Sequence, residues 1–529
     1  MKKIFKYILL GVVVVASSSC KKFLDINTNP NSLTTATPAL VLPQAIVGAA
    51  SISNSFNINL ADFSGARANA GGFGGFGSVV TYDFGTGDYT GLWTSTYDNV
   101  NDFEYIIQNT SSDATQAYST AIARIMKSFD YERLVNQYND VPYTDAAKGS
   151  TILQPKYDKG ADVYKACIAE LDKAIADITA AQAKSATNKI ATSADPMFKG
   201  DMNLWKKFAN TVKLRMLIKM AGVPSLASYA TAGFASMNTT TVGFLSTDAI
   251  VNPGYVKTDR PNPVYSSIGF TSTGTNTTTS RIPTKWIFSF YTGAKLSDSF
   301  RGSVIYRSFP STPINQMGDE STSVPAALSA GSAWITGNNA TDVLGVAKGP
   351  TQGTPVLLAT EANFLLAEAY VRGYLTGTAT TAFDAGITQS FTYLYKTVAG
   401  VVDASKNVTA DVTAYKAANA TAAKPYLVDL SLATTLEQKI EAIITQKYIA
   451  LNMIANDECY NEFRRTAYPA IVNGSLDPLL TFASRQSIST HADKLPTRIL
   501  YPQEEYNLNP NNAPAGINKF TSLIFWDLN

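Results

Sequence analysis

Apolar residues recur at helical spacing in several long segments, and this pattern limits the fold more than any other feature. In 162–180 the large residues fall mostly three or four positions apart, as on one face of an α-helix. The same spacing predicts helices over 121–138, 201–220, 355–373 and 434–464, and more weakly over 38–62, 92–109 and 381–396. Small residues such as Ala362 and Ala369 allow paired helices to approach closely. The pattern therefore predicts a mainly α-helical fold built from helix pairs.

Helical spacing is lost between about residues 222 and 350. That stretch is rich in Gly, Ser, Thr, Asn and Pro, with aromatic residues interspersed. A polar segment with so many aromatic residues is expected to fold, so we predict long loops and a few short strands laid over the helices. A second irregular region, residues 68–91, contains a cluster of glycines.

The N-terminus has the order of a secretory signal peptide. Lys2, Lys3 and Lys6 precede an apolar run over 8–16, and small residues then lead to Cys20. The apolar run is far shorter than the roughly 20 residues that a helix needs to cross a bilayer. A cysteine at the cleavage point is typical of a bacterial lipoprotein, in which the thiol is acylated. The alternative is an ordinary secreted protein with an incidental cysteine.

These features give a domain organisation. We predict a signal peptide over 1–19, a lipidated Cys20 with a tether over 20–37, and a single α-helical domain over 38–529. Within that domain, the irregular region at about 222–350 is expected to face a ligand or a partner.

Charge and metal-binding residues exclude several classes of function. The chain has 43 basic and 41 acidic residues, so it lacks the basic surplus of a nucleic-acid-binding protein. Beyond Cys20 it has Cys167 and Cys459, which could pair or remain free thiols. The one histidine, His491, lies on a polar loop without a nucleophile motif. We therefore predict no metal site, no cofactor and no catalytic residues.

Paired carboxylates are the remaining argument for an enzyme, because glycosidases use two carboxyl groups roughly 5–10 Å apart. The candidate pairs are Asp102/Glu104, Glu361/Glu368 and Glu504/Glu505. Glu361 and Glu368 lie about two helical turns apart on one face, but in an alanine-rich packing helix. We expect them to bond within or between helices, so we do not predict an enzyme.

Six blocks spread along the chain carry a more specific signal. They are Cys20-Lys-Lys-Phe-Leu-Asp-Ile-Asn-Thr-Asn-Pro-Asn, Tyr138-Asn-Asp-Val-Pro-Tyr-Thr-Asp-Ala-Ala147, Gly200-Asp-Met-Asn-Leu-Trp-Lys-Lys-Phe-Ala-Asn210, Ala362-Asn-Phe-Leu-Leu-Ala-Glu-Ala-Tyr370, Gln446-Lys-Tyr-Ile-Ala450 with Glu462-Phe-Arg-Arg465, and Arg498-Ile-Leu-Tyr-Pro-Gln503. In this order, behind a lipoprotein signal, they resemble the SusD/RagB-like outer-membrane lipoproteins of Bacteroidetes. The resemblance covers essentially the whole mature chain.

The resemblance implies a SusD-like fold of tetratricopeptide-like helix pairs with long irregular loops and a few short strands. It also implies a cell-surface lipoprotein, anchored in the outer membrane through Cys20, that acts as a lid on a SusC-like TonB-dependent transporter. Such proteins are not enzymes: they bind a nutrient, most often a glycan or oligosaccharide, and deliver it to the transporter.

Two other functions remain open: a peptide-binding protein of the same type, and a surface scaffold without a ligand. The orientation is open as well. Lys21 and Lys22 stand where family members often carry acidic residues that signal export, so the extracellular and the periplasmic face both remain candidates.

A site for a neutral sugar needs aromatic rings against the sugar faces and polar groups around the rim. We place the ligand near Tyr82, Asp83 and Tyr89 in the first irregular region. Trp286 and Trp334 from the second region would complete the site. For each of the five residues the alternative is loop packing or contact with a partner.

Overall fold

The structure is a computed structural model. It describes residues 36–72, 75–277, 279–326, 334–337 and 343–529. The predicted signal peptide, Cys20 and nearly all of the tether lie outside the described residues. The assignment of 38–529 to one domain stays a prediction.

Helices are the main regular secondary structure of the described residues. Sixteen α-helices lie there: α1 (Pro38–Leu60), α2 (Ser78–Thr81), α3 (Thr90–Thr110), α4 (Ala117–Tyr138), α5 (Gly160–Gln182), α6 (Met202–Ala221), α7 (Ala227–Ala235), α8 (Pro263–Ile268), α9 (Lys285–Phe288), α10 (Ser299–Ile305), α11 (Ala359–Val371), α12 (Ala379–Tyr395), α13 (Val408–Ala418), α14 (Leu436–Leu451), α15 (Asn456–Thr466) and α16 (Gln503–Leu508). The predicted mainly α-helical fold is confirmed.

The strands are few and short, as expected. They are β1 (Arg67–Asn69), β2 (Ala249–Val251), β3 (Arg281–Pro283) and β4 (Thr354–Leu357). β1 pairs with β3 and β2 with β4, both antiparallel. The first pair aligns Arg67 with Pro283 and Asn69 with Arg281, and so joins the two irregular regions that the sequence shows.

The strongest helix predictions are confirmed: α4, α5 and α6 cover the segments 121–138, 162–180 and 201–220. Local sequence explains the boundaries of α6. A side-chain oxygen of Asp201 accepts hydrogen bonds from the amides of Asn203 and Leu204 at the start of the helix, which satisfies two otherwise unpaired donors.

The segment 434–464 is not one helix but two, α14 and α15. The break follows from Asn452, whose backbone is not helical. Its side-chain amide donates to the hydroxyls of Tyr291 at 3.1 Å and Tyr306 at 2.6 Å. Met453 then adopts a positive φ of 61°, so the chain turns before α15 begins.

Three smaller differences concern helix content. The first residues of the segment 355–373 belong to β4, and α11 begins only at Ala359. The region from about 222 to 350 is largely irregular but contains α7, in which only Ala230 and Phe234 are buried. Helix α13, which buries Tyr415 alone, was not predicted. Neither α7 nor α13 has a long apolar stripe.

Successive long helices pack against each other: α3 with α4, α5 with α6, and α11 with α12. A glycine allows close approach in the third pair. A Cβ on Gly386 of α12 would lie 2.6 Å from the ring of Phe364 in α11. By length and composition alone, helix α1 could cross a membrane. It packs against α3, α4 and α15, however, and half of its most apolar stretch is buried inside the protein.

A network of buried charges links the helices at the centre of the molecule. Arg215 of α6 donates to Glu132 of α4 at 2.5 Å and to Glu361 of α11 at 3.0 Å. Lys219, one turn further along α6, bonds Glu132 at 3.3 Å and Glu458 of α15 at 3.0 Å. All five side chains are at most 2% exposed. Each charge therefore has an opposite charge as its partner, as burial requires.

The network continues into α14 and α15. Lys447 bonds Glu462 at 3.0 Å, and Arg465 donates to both carboxylate oxygens of Glu368 at 2.7 Å. Burial alone would raise the pKa of Glu368, but Arg465 and Arg372 hold it at about 2. The expectation that Glu361 and Glu368 bond between helices is confirmed.

The two cysteines of the described residues, Cys167 and Cys459, are buried free thiols. The disulfide that the sequence left open is therefore not formed. Burial raises the pKa of both thiols, which keeps them protonated and unreactive.

Replacing Arg215 with methionine tests the network. The change leaves Glu132 and Glu361 buried without this partner, so we expect the free energy of unfolding to fall by about 3–5 kcal/mol. Denaturant unfolding measures it. Arg260→Met is the matched control, because Arg260 is exposed, donates to the carbonyls of Pro253 and Gly254, and lies 6.0 Å from the ring centroid of Tyr255; it should change stability by less than about 1 kcal/mol. Equal losses in the two variants would contradict the central role of the network.

Candidate functional site

The structure places both predicted tryptophans inside the protein. Trp286 and Trp334 are each 1% exposed. The ring of Trp286 packs 5.5 Å from Phe482 and 5.7 Å from Phe290, and the ammonium group of Lys295 lies 3.8 Å from its centroid. These rings fasten the irregular segments to the helical body.

This burial changes the predicted site, because neither tryptophan presents a ring face on which a sugar could stack. The composition around them misled the prediction: a stretch rich in Gly, Ser, Thr and Asn suggests surface loops. Long loops also need large apolar anchors to pay for ordering, and Trp286 and Trp334 provide them. A ligand-binding role for either residue stays a prediction without a contact surface in this structure.

The other three predicted residues lie together. Tyr82 and Tyr89 both pack on Phe63, with ring centroids 5.6 and 5.8 Å away. Tyr82 is fully buried and Tyr89 half-buried, whereas Asp83 is exposed and bonds the ammonium of Lys519 at 2.7 Å. Only Asp83 and part of Tyr89 are therefore open to a ligand, and their role in binding stays a prediction.

Tyr82 and Tyr89 both have left-handed backbones, with φ of 59° and 58°. Bulky residues rarely adopt this conformation, which persists only where the surroundings fix it. Here the surroundings are specific: the hydroxyl of Tyr82 accepts a hydrogen bond from the amide of Ser484 at 3.2 Å. Burial raises the pKa of the Tyr82 hydroxyl, so it stays protonated. The two tyrosines fix the path of the loop between α2 and α3.

That loop is part of a larger exposed surface. We call it the loop face and define it as residues 75–89, 315–326 and 481–488 together with Arg281. Backbone hydrogen bonds join its segments: the amide of Ile488 donates to the carbonyl of Thr81 at 3.0 Å, and the amide of Arg485 to that of Met317 at 2.9 Å.

Asparagine side chains fix the base of the loop face. Asn69 accepts from the amide of Gly318 at 2.8 Å and donates to the carbonyl of Asp319 at 2.9 Å. Asn315 donates to the carbonyls of both Asn69 and Asp319. The turn at Gly318 needs its positive φ of 80° and leaves no room for a Cβ beside Ser484. These contacts hold the polar side chains above them in place.

Those polar side chains form a rim of alternating donors and acceptors. The side-chain amide of Gln486 donates to Glu320 at 2.9 Å and to the carbonyl of Gly318 at 2.8 Å. A guanidinium nitrogen of Arg485 lies 3.4 Å from a carboxylate oxygen of Asp319. Partial burial would raise the pKa of Asp319, but hydrogen bonds from Ser321 and the charge of Arg485 hold it below its usual value.

An aromatic ring adjoins this rim. Phe76 is half-buried, and its ring packs against a small cluster of Ala68, Val80 and Met317. The guanidinium of Arg281 lies 4.8 Å from the ring centroid. The amide of Phe76 donates to Glu320 at 3.3 Å, so the ring and the rim are directly connected.

Sequence reasoning missed most of the loop face. Phe76 could have been found, since it lies in the glycine cluster of the first irregular region. The position of Arg281 depends on the pairing of β1 with β3, and those of Glu320 and Gln486 on contacts between residues 166 positions apart. No local sequence pattern predicts the strand pairing or the contact between Glu320 and Gln486.

The loop face offers an aromatic edge, carboxylates, an amide and guanidinium groups on one surface. Such a surface suits a neutral ligand with many hydroxyl groups, because hydroxyls both donate and accept hydrogen bonds. Its carboxylates Asp319 and Glu320 are bonded to Arg485 and Gln486. Within the described residues, no group of three or more His, Cys, Asp or Glu is arranged to hold a metal ion.

Comparison with known proteins shows a match to a protein family. The sequence model of the SusD-like family, described as starch-binding and associating with the outer membrane, matches residues 30–502. No curated protein matches the sequence significantly.

Solved structures share the fold. A chitin-binding protein superimposes with a TM-score of 0.64 at 23% identity, covering 93% of this chain and 100% of that chain. A SusD homologue from Bacteroides uniformis gives 0.65 at 21% identity, covering 92% and 99%. A chitin-binding SusD homologue from Flavobacterium johnsoniae gives 0.67 at 20% identity, with the same coverage. The predicted SusD-like fold is confirmed.

Removing the hydroxyl of Tyr82 tests how the loop face is held. In Tyr82→Phe the amide of Ser484 loses its acceptor, which should cost about 1–2 kcal/mol. We expect faster hydrogen exchange at residues 481–488, measured by mass spectrometry. Tyr374→Phe is the control, because its ring stacks on Phe234 elsewhere in the molecule. Unchanged exchange at 481–488 in the first variant would show that this bond does not hold the segment.

Proposed function

Because this chain belongs to the SusD-like family, whose members are nutrient-binding proteins of the outer membrane rather than enzymes, we propose that it binds a glycan or oligosaccharide at the loop face. It then delivers the ligand to a SusC-like TonB-dependent transporter. The family description names starch, and two proteins of the same fold are named as chitin-binding. All three names support a glycan more than a peptide.

The observation that carries the proposal is the pairing of Phe76 with a polar rim. One face of a sugar ring packs on the accessible edge of Phe76, beside the guanidinium of Arg281. The sugar hydroxyls donate to Glu320 and to the side-chain oxygen of Gln486, and they accept from Arg485. Aromatic contact supplies affinity, and the charged hydrogen bonds fix the orientation of the sugar.

Asp83 and Tyr89 of the predicted site form the part of the loop face next to α3. Asp83 is exposed beside Lys519, so it provides another acceptor for hydroxyl groups. Tyr82 and Trp286 support the segment 481–488, through the amide of Ser484 and the ring of Phe482.

A shallow site of this kind binds weakly, and attachment to the membrane compensates. We propose that Cys20 is acylated and that the tether holds the domain close to the transporter. The hydroxyl of Tyr105 donates to the carbonyl of Ala36 at 2.5 Å, so the chain is fixed to α3 just before α1. The residues between Cys20 and Ala36 span at most about 50–60 Å. Confinement within that distance gives a high effective concentration at the transporter.

Replacing Phe76 with alanine tests the glycan site. The full mature protein is first screened on soluble starch, chitin oligosaccharides and a peptide array. For the glycan that binds, we expect Phe76→Ala to weaken affinity by about fivefold or more, since stacking is worth about 1 kcal/mol or more. Isothermal titration calorimetry measures the change.

Tyr374→Ala is the matched control, because Tyr374 is a half-buried aromatic residue remote from the loop face. It should leave glycan affinity unchanged. Binding of peptides and of no glycan would replace the proposal with the peptide-binding alternative. Binding of neither would favour a scaffold. Equal affinity of Phe76→Ala and wild type would move the glycan site elsewhere.

The lipid anchor is tested separately. In a bacterial host that processes lipoproteins, radiolabelled palmitate should enter the wild-type protein and not Cys20→Ser. Two or three acyl chains anchor a protein stably, at about 0.8 kcal/mol per buried methylene, so the variant should leave the membrane fraction. Labelling of both proteins, or of neither, would overturn the assignment of Cys20.

A further inference from the structure

A second candidate site lies on a different part of the surface. A cleft of about 510 Å³ opens where α15 ends, between residues 463–473, residues 491–497 and the C-terminal segment. None of its lining residues belongs to the loop face. Its volume falls within the range of small-molecule sites, about 300–1,000 Å³.

One buried carboxylate in this cleft lacks an adequate partner. Asp527 is 5% exposed and accepts a 3.3 Å hydrogen bond from the backbone amide of Asn529. Among the described residues no ion pair involves it. Burial raises the pKa of Asp527 to about 6, although Arg464 and His491 act in the opposite direction and Asp493 adds to the rise. A buried negative charge of this kind is stabilised by a cation.

Arg464, which also lines the cleft, is committed to the structure. Its guanidinium donates to the carbonyls of Thr497 at 2.7 Å and Asn136 at 2.8 Å. The same group stacks 4.0 Å from the centroid of Tyr460. Arg464 therefore fastens α15 to its neighbours and does not pair with Asp527.

His491 supplies a second acceptor. Its Nδ1 lies 2.7 Å from a carboxylate oxygen of Asp493, which also accepts from the amide of Leu495 at 2.8 Å. When Nδ1 carries the proton of the neutral ring and donates it to Asp493, Nε2 is left as an acceptor. The cleft thus offers acceptors from Asp527 and from His491.

The remaining wall is partly apolar and partly polar. Its apolar part includes Phe463, Tyr468, Ile471 and Pro496, and its polar part includes Thr466, Asn473, Thr497 and Asn529. Tyr468 is partly exposed, and an aromatic ring attracts a cation through its electron-rich face. A ligand for this cleft should therefore combine an apolar face with a group that is positive and donates several hydrogen bonds. A primary ammonium group meets the second condition, since it has three donors.

We propose that this cleft binds the primary ammonium group of a small ligand that also presents an apolar ring or chain. Asp527 neutralises the ammonium charge, Nε2 of His491 accepts one of its hydrogens, and the side chains of Tyr468 and Ile471 contact the apolar part. An amino sugar and the N-terminal residue of a short peptide both have this chemistry. The proposal does not depend on glycan binding at the loop face.

Four probe molecules, each tested for binding to the full mature protein, distinguish an amino sugar from a peptide terminus. Glucosamine and leucinamide carry the free amine, and N-acetylglucosamine and N-acetylleucinamide are their uncharged counterparts. We expect one of the amines to bind with a dissociation constant in about the millimolar range, as for other ligands of this size. Its acetylated counterpart should bind at least tenfold more weakly. Binding of glucosamine indicates an amino sugar, and binding of leucinamide indicates a peptide terminus. Titration calorimetry or ligand-observed NMR measures the affinity of each probe.

Variants locate the binding. Asp527→Asn keeps the side-chain shape and should weaken amine binding at least tenfold, with folding confirmed by circular dichroism. Asp477→Asn removes an exposed carboxylate and should have no effect. Equal binding of free and acetylated probes, no binding of either amine, or full binding by folded Asp527→Asn would each overturn the proposal. The wild-type comparison remains decisive if Asp527→Asn fails to fold.

Discussion

The buried network around Arg215 and Lys219 is the constraint on which the rest of the structure depends. These two residues of α6 contact carboxylates from α4, α11 and α15. An ion inside a protein is tolerated only when its partners are close and well aligned. Apolar packing alone would allow the helices to slide by small amounts, whereas each of these contacts fixes one helix against another. The network therefore specifies one arrangement of the helical body.

The same network shows how far sequence reasoning reaches. An apolar stripe identifies α5 and α6 because burial of one face is a local property of each helix. The interhelix role of Glu361 and Glu368 was also predictable, because acidic residues in an alanine-rich packing face need partners there. The identity of their partners was not predictable. Arg215 and Glu361 are 146 residues apart, and no pattern in a single sequence shows that two such distant residues are in contact.

The irregular regions were predicted in place but not in detail, for two physical reasons. Composition locates a loop but does not show which aromatic residues anchor it, so Trp286 and Trp334 were proposed as ligand contacts, with loop packing as the alternative. Short strands carry too few residues for a recognisable period, and the pairing of β1 with β3 was therefore invisible. Because that pairing positions Arg281 beside Phe76, the most informative contact of the loop face was missed together with it.

Rigidity distinguishes the loop face from an ordinary set of surface loops. Binding a flexible loop costs conformational entropy, which reduces the affinity that contacts with the ligand can supply. Here Asn69 and Asn315 bond the backbone beneath the rim, and Gln486 is held by Gly318 and Glu320. Much of the conformational entropy of these loops is therefore lost during folding and not on binding. A site with few contacts can then still select its ligand by geometry. The helical body, fixed by its internal charges, is what makes such a framework possible.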